Sequence, residues 1–572
     1  MNFDVRRVPF SRWGSYFALS LWKKPKSEEE SLQLRVLHGD SSSKTAFLVE
    51  LVKDGVPVPS KVVASPELLR LEPESGGGSA EICIPEPRVL RLRGSGVALR
   101  LSEPDTGAYD NAIARDGSRW EINSFSTRAR YILAPLAGRL EVDAPWQTLK
   151  CGHVSATFAP DGPGGSFEGA VEEFSTGWQE RAYEGSFDSC VRKVALEFRT
   201  WLDKMPSVPD EFAAARELAS YVCWSCVVEP RGHFRRPAML MSKNWMTNVW
   251  SWDHCFNAMA LAGGDPEAAW DQLMIVFDHQ DETGALPDSV NDAYFVWGFS
   301  KPPIHGWALS KMLAASPKKL WRRAREIYRP LSRWTEWWLA FRDYDKDGVP
   351  QYNHGNDSGW DNATVFDEGC PVEGPDLSAY LVIQMETLSE LAARLGKRRD
   401  AKLWRARASE LLKKLLAHSW RGEAFIAPHA RRPLEHECVS GADSLLPYLP
   451  VVLGHRLPGE ILSKLAAALR EEGRFLTPHG LATESPRSPR YKPDGYWRGP
   501  IWAPSTMIVV DGLADAGEKE LAREIVLRFA RTCARSGFAE NFDALTGAPL
   551  CDPAYTWTAS AFLVMAHEHL GG

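Results

Sequence analysis

Two carboxylates far apart in the chain, Asp361 and Glu540, each sit in a loop that also carries aromatic rings and amides. The first loop reads His354-Gly355-Asn356-Asp357-Ser358-Gly359-Trp360-Asp361-Asn362. The second reads Gly537-Phe538-Ala539-Glu540-Asn541-Phe542-Asp543 and runs on to Tyr555-Thr556-Trp557. Hydrolysis of an acetal needs such a pair. One carboxyl protonates the leaving oxygen, and for inversion the other activates a water on the opposite ring face, with roughly 6.5–9.5 Å between them. The acid needs an apolar setting that raises its pKa, while the base stays ionised in a polar one. Trp360 beside Asp361 suits the first role and Asn541 beside Glu540 the second. Taken singly, Glu540 reads sooner as a helix cap or a solvent-facing charge, and for Asp361 the two readings are about even.

Three further loops share the same chemistry. Asn248–His254 holds Trp252 and Asp253; Phe277–Gln280 continues through Asn291-Asp292 to Lys301–Trp307 and brings Gln280, His305 and Trp307; Asp494–Trp502 brings Trp497, Arg498 and Trp502. Planar donors and acceptors beside flat apolar rings are what sugar hydroxyls and sugar faces require. One such cluster is a capping Asp beside a core Trp; five together weigh toward a saccharide site. The 23 tryptophans point the same way, although most of them read as core.

These loops need a scaffold. Up to about residue 200, stretches such as Leu32–Leu37, Ala46–Val52, Val89–Arg93 and Val97–Leu101 alternate apolar and polar residues between Gly-, Ser- and Pro-rich turns such as Gly39–Ser43. That predicts an N-terminal antiparallel β-sandwich with a linker over 1–200. From about Pro209 the period becomes helical, over Glu211–Val228, Trp252–Leu261, Pro266–Gln280, Pro302–Ala314, Pro317–Phe341, Pro375–Leu395, Arg399–Ala417, Leu457–Glu472, Ala503–Ala516, Lys519–Ser536 and Tyr555–His569. About a dozen helices with their chemistry in alternate loops predict helical hairpins around an axis, over 201–572. The fold class is therefore mainly α, an (α/α)6 toroid behind a β-sandwich.

Charged residues make up 25% and the net charge is -7, which argues against a nucleic-acid groove or an anionic-membrane surface. The first residues hold no apolar run suited to a secretory leader, no stretch is long enough to span a bilayer, and the ten cysteines show no framework. The expectation is a cytoplasmic protein with reduced thiols, with Cys223 and Cys226 as buried helix residues rather than a redox pair. Asp343, Asp345, Asp347 and Gly348 reproduce half of an EF-hand loop, but its twelfth position is His354. A charged turn is the favoured reading, and no cofactor is expected, with structural calcium as the lesser alternative. His254, His279, His305 and His354 lack zinc-ligand spacing.

The run Ser358–Asn362 resembles the general-acid loop of glycoside hydrolase family 63 and of family 37 trehalases, Tyr496–Trp502 their arginine loop, and Glu540–Gly547 the general-base loop of family 63, including its mannosylglycerate-hydrolase-like members. The segments WSWDHCF and KPPIHGWA are similar to pocket-lining segments of the same group. The likeness spans about residues 240–570. It implies a six-hairpin toroid, an inverting single displacement on an α-glycoside, Asp361 as acid and Glu540 as base. It also implies sugar binding by Asp253 and Arg498, and a terminal-sugar subsite shaped by Trp252, Trp360, Trp497 and Tyr555. Asp357 stands where such proteins often carry Glu and is read as a positioning residue and the second candidate for the acid. Some members of that family bind calcium.

The resulting expectation is an exo-acting enzyme on a small α-glucoside or α-mannoside, such as a disaccharide, a short oligosaccharide or a glycosylglycerate. A toroid-type phosphorylase or a non-catalytic sugar-binding protein are the alternatives. The partner is a small saccharide, with no nucleic acid or membrane, and the oligomeric state is open.

Overall fold

The computed structural model describes residues 1–24, 27–39, 45–162, 164–430 and 441–571. The alternating stretches form strands, and every pairing in the two large sheets is antiparallel. One sheet runs Phe17–Lys23, Glu30–Val36, Thr45–Lys53, Ala98–Ser102, Ser155–Ala159, Arg139–Asp143. The other runs Asn111–Ala114, Trp120–Ser124, Ala129–Ala137, Ser166–Phe174, Val89–Ser95, Ser79–Glu86, Leu69–Pro73, Ser60–Ala64. Their inner faces meet through rings: Phe47 lies edge-on to Tyr131 at 5.0 Å, and the Phe158 ring sits over Gly169. A Cβ at 169 would come within 2.4 Å of that ring, so glycine is needed for the two layers to close. The expected turn at Gly39–Ser43 lies, from Asp40 on, outside the described residues.

Among the described residues, twelve α-helices of eight or more residues follow: α1 (Phe187–Lys204), α2 (Ala213–Cys226), α3 (Asp253–Leu261), α4 (Pro266–Met274), α5 (His305–Ala315), α6 (Ala324–Phe341), α7 (Pro375–Arg394), α8 (Arg398–Ser419), α9 (Gly459–Arg470), α10 (Ala503–Asp515), α11 (Lys519–Ser536) and α12 (Thr556–Leu570). The first, α1, occupies sequence read as linker. Its buried Phe187, Cys190, Val194, Phe198 and Trp201 recur at helical spacing, Ser186 caps it, and it packs on the strand Ser79–Glu86 and on α2.

The toroid is a closed inner ring. In order, α3 touches α5, α5 touches α7, α7 touches Leu446–Arg456, that segment touches α10, α10 touches α12, and α12 returns to α3. Outside it, α2, α4, α6, α8, α9 and α11 each pack on an inner partner. The sixth inner member, Leu446–Arg456, is a 3-10 stretch containing Pro450 and broken at Gly454 with φ 52°. Its sequence, LPYLPVVLGHR, is apolar all round and so carries no helical period to read. Among the described residues no helix is long and apolar enough to cross a membrane. Cys223 and Cys226 are buried free thiols on α2, as expected.

Candidate active site

Two small sheets gather the site loops at one end of the inner ring. Val249–Trp250 pairs with Ser289–Val290, which pairs with Phe295–Val296, so that Asp253, at the start of α3, comes beside Asp288 and Lys301. Ile501–Trp502 pairs with Asn541–Phe542, which pairs with Pro549–Leu550, and this brings Tyr496, Glu540 and Asp552 together.

Glu540 and Asp361 meet across Tyr496. The Tyr496 hydroxyl donates to Glu540 at 3.0 Å, and the charges of both carboxylates, after burial, push that phenol up. Glu540 is itself pushed up to about 7, first by burial, then by Asp552, with Asp361 adding to the effect. The local setting differs from expectation. Glu540 is only 4% exposed, whereas the Asp361 side chain is 34% exposed. The reason is placement: Glu540 directly precedes the middle strand Asn541–Phe542 and is bonded by Tyr496 and Asp552, whereas the indole expected to desolvate Asp361 is instead engaged by Trp497, 4.8 Å away. Burial still raises Asp361, opposed by Lys301, whose ammonium stands 3.9 Å from it. The same ammonium stands 3.4 Å from Asp288 and donates to the Asn356 carbonyl at 3.1 Å. Asp253 is buried, accepts from the Tyr555 hydroxyl at 3.2 Å and is pushed up to about 8 by that burial.

Beneath the carboxylates lies an aromatic stack. Trp497 and Trp502 are parallel at 4.0 Å, Trp360 lies on Trp497, Trp252 packs 6.3 Å from Trp497 and 5.6 Å from Trp557, and Tyr555 lies 4.9 Å from Trp557. The Trp557 indole donates to the Glu540 carbonyl at 3.3 Å. All six rings are buried, so they form the floor that fixes the loops.

Gly359 shows how tight that floor is. It ends the 3-10 turn Gly355–Ser358 at φ 73°, and a Cβ there would come 2.4 Å from the Trp252 ring. Gly359→Ala is expected to cost about 1–3 kcal/mol in backbone strain alone, with the ring clash in addition. Gly396→Ala, at φ 75° in open space, isolates the strain when both are unfolded in urea. Equal losses would show that the ring contact carries nothing.

Other expected site residues are differently engaged. Both Asp357 oxygens are taken: by Ser300 N at 2.9 Å and its hydroxyl at 3.2 Å, and by Asn353 N at 2.9 Å and Arg342 at 3.3 Å. That is a brace for the loop and leaves little for proton transfer. Arg498 pairs with Asp367 and donates to the Asn362 carbonyl at 2.7 Å, so it clamps the Asp361 loop. Gln280 donates at 2.9 Å to the carbonyls of Gly284 and Pro330, holding its own turn. His305 is fully buried between His254 and Phe277, where α3 meets α5, and Trp307 donates to Asp511 at 2.6 Å. These three serve the ring's packing. Tyr496, Lys301, Asp288 and Asp552 were not singled out from the sequence. An Asp in the apolar run Pro549–Tyr555 was the one signal for Asp552.

Among the described residues, three groups could hold a cation. Asp343, Asp345 and Asp347 bring one ligand atom each within 4.8 Å of one another, as do Asp347, Glu373 and His418, and likewise His254, Cys255 and His305. In the first, burial and its two acidic neighbours raise Asp343, and its buried Oδ1 has no hydrogen-bond partner among the described residues. Those donors fit calcium. His354, in the twelfth position, is instead engaged by Asn356 N and Phe299. A separate cavity of about 270 Å³ lies beyond the Asp361 loop, lined by Thr364, Val365, Phe425, Tyr448 and Arg474.

Residues 246–558, more than half of the chain, match the mannosylglycerate hydrolase MGH1-like glycoside hydrolase domain. The mannosylglycerate hydrolase of Thermus thermophilus is 26% identical over 55% of this chain and 93% of its own, and MGH1 of Selaginella moellendorffii is 23% identical over 62% and 86%. A glucosylglycerate hydrolase of Mycolicibacterium hassiacum is 24% identical over 55% and 91%. Among solved structures, a family 63 mannosylglycerate hydrolase from Thermus thermophilus in complex with glucose superposes at TM-score 0.53 with 22% identity, over 60% of this chain and 98% of that one. A bacterial glucoamylase complexed with acarbose covers all of this chain and 94% of its own at TM-score 0.64 and 12% identity. These two show a shared six-hairpin fold. The chain is a glycoside hydrolase and belongs to the mannosylglycerate hydrolase MGH1-like family.

Proposed function

We propose that this enzyme hydrolyses a small α-glucoside or α-mannoside, glycosylglycerates foremost, by exo-attack with inversion. The observation that carries it is the pair Asp361 and Glu540 within each other's field across Tyr496, on a toroid whose relatives are named mannosylglycerate and glucosylglycerate hydrolases. Asp361, more exposed and raised by burial, gives its proton to the departing oxygen. Glu540, held by Tyr496 and by the Asp552 backbone N–H, takes a proton from the attacking water, and its raised pKa makes it a stronger base. Asp253 and Tyr555 bind sugar hydroxyls. A cation held by Asp343, Asp345 and Asp347 would brace the turn that leads into the Asp361 loop.

The test is NMR of the first-formed anomer from α-glucosyl and α-mannosyl glycerates and disaccharides. Release of the β-anomer is expected; release of the α-anomer overturns inversion, and phosphate-dependent release would place the enzyme among phosphorylases. The pH profile gives a second check. Glu540 acts ionised, so kcat/KM is expected to rise with pH along a limb near 7. The Tyr496 hydroxyl favours the carboxylate, so Tyr496→Phe moves that limb to higher pH. An unmoved limb in that variant would assign the limb to another group.

A further inference from the structure

Glu540 is held by a residue that is itself held from the β-layer. The Asp552 backbone accepts from Glu540 N at 2.7 Å and its N–H lies 3.4 Å from the Glu540 carboxylate. The Asp552 side chain is fully buried, accepting from the Ser242 hydroxyl at 2.6 Å, the Asn244 amide at 2.9 Å and Ala554 N at 3.0 Å. Ser242 and Asn244 belong to a short segment that is itself neither helix nor strand. Its support comes from the N-terminal residues. Arg35, on the strand Glu30–Val36 and fully buried, donates to the carbonyls of Asn244 at 2.5 Å and Lys243 at 2.7 Å, and to the Ser20 hydroxyl at 3.0 Å. The Trp22 ring lies 3.8 Å from its guanidinium carbon. Lys243 extends into the β-layer, where its ammonium donates to Ser11 Oγ at 3.0 Å and to the Ser15 carbonyl, and the Asn244 amide also donates to the Arg7 carbonyl at 3.1 Å.

Burying a guanidinium is costly unless its donors are met and a counter-charge is near. Here the two terminal guanidinium nitrogens meet two backbone carbonyls and the Ser20 hydroxyl, and the carboxylate whose field Arg35 feels is Asp552. The strand residues Ser20 and Arg35 and the segment 242–245 all precede residue 246, where the family match begins, while Glu540 and Asp552 lie inside it. The side-chain grip on Asp552, from Ser242 and Asn244, is thus built by residues outside the matched domain.

We propose that the N-terminal β-layer is a working part of the active site: Arg35 fixes the segment 242–245, Ser242 and Asn244 fix Asp552, and Asp552 fixes the position and charge environment of Glu540. The four are positioning residues, and the inference rests on Glu540 being the base. The groups facing Glu540 are Asp552, Tyr496, Asp361, Cys551 and Tyr555. Of these, Asp552 is the acid that most opposes its ionisation.

The experiment measures kcat, KM and the pH profile of the full-length enzyme on its best α-glycoside. Asp552→Asn keeps the shape and removes the charge, so the acidic limb of kcat/KM is expected to move to lower pH. Asn244→Ala and Arg35→Met loosen the grip, and each is expected to lower kcat about tenfold or more, as displacement of a reacting group by under an ångström does, with KM changed less than about twofold. Arg35→Lys, which keeps a donor and the charge, should recover part of the loss. Should Arg35→Met fail to fold, the other variants decide. A wild-type kcat in Asn244→Ala together with an unmoved limb in Asp552→Asn overturns the proposal while leaving Glu540 as the base. Full activity in Glu540→Gln overturns both.

Discussion

Asp361→Asn lowers kcat on an α-glycoside with an alkyl aglycone by about 10²–10⁴-fold, the range that general acid catalysis supplies, and lowers it far less on the corresponding α-glycosyl fluoride. The asymmetry follows from the assigned role. Glycerate or a sugar leaves as a strongly basic alkoxide unless it is protonated, whereas fluoride departs with little help. The proposed role fits its setting: its carboxyl is the more exposed of the pair, and burial raises its pKa against the lowering pull of Lys301. Asp357, with both oxygens engaged by Ser300, Asn353 and Arg342, predicts another pattern: Asp357→Asn damages folding and both substrates together. Initial rates on the two leaving groups decide the matter. An Asp361→Asn enzyme that loses both substrates equally would take the acid role away from Asp361.

Glu540→Gln removes activity on both substrates, by about 10²–10⁴-fold or more, because the water must be deprotonated whatever leaves. It also makes the protein more stable at neutral and alkaline pH. The Glu540 carboxyl is held at about 7 in the folded chain against an ordinary 4.5, so the folded state keeps its proton longer than the unfolded one. Stability is therefore lost as pH rises from about 4.5 through about 7, amounting to ~3 kcal/mol by linkage. The amide carries no such penalty. Urea unfolding of parent and variant at pH 5 and pH 8 should show a much larger gap at the higher pH. A gap equal at both values would mean that the carboxyl is not carrying that strain, and retained turnover would remove it from the mechanism. A buried base that costs stability and supplies function is the usual trade at an active site.

The parts of this arrangement legible in the sequence are those encoded by local pattern. Strand alternation and helical period located both layers, and the aromatic-amide loops drew attention to Asp361 and Glu540 because sugar chemistry needs that mixture in one place. What was not legible depends on pairings between distant segments. Tyr496 reaches Glu540 only because Ile501–Trp502 pairs with Asn541–Phe542, and Asp552 matters only because Asn244 comes to it from 308 residues away. Trp307 lies in a loop of the right composition, but on the first turn of α5 its indole meets Asp511. The inner segment Leu446–Arg456 escaped because uniform apolarity and two prolines erase periodicity, although its place in the ring is as fixed as that of any helix.

The return of α12 to α3 sets the order in which this protein can become an enzyme. Asp253 takes its hydrogen bond from Tyr555, and the Trp252 ring rests on Trp557, partners that lie some three hundred residues downstream. During synthesis, α3 therefore leaves the ribosome with its apolar flank uncovered and waits through most of the toroid for the segment that seals it. Asp253 and α3 are complete only once α12 has been made, and until then the nascent toroid carries uncovered apolar surface of the kind chaperones bind.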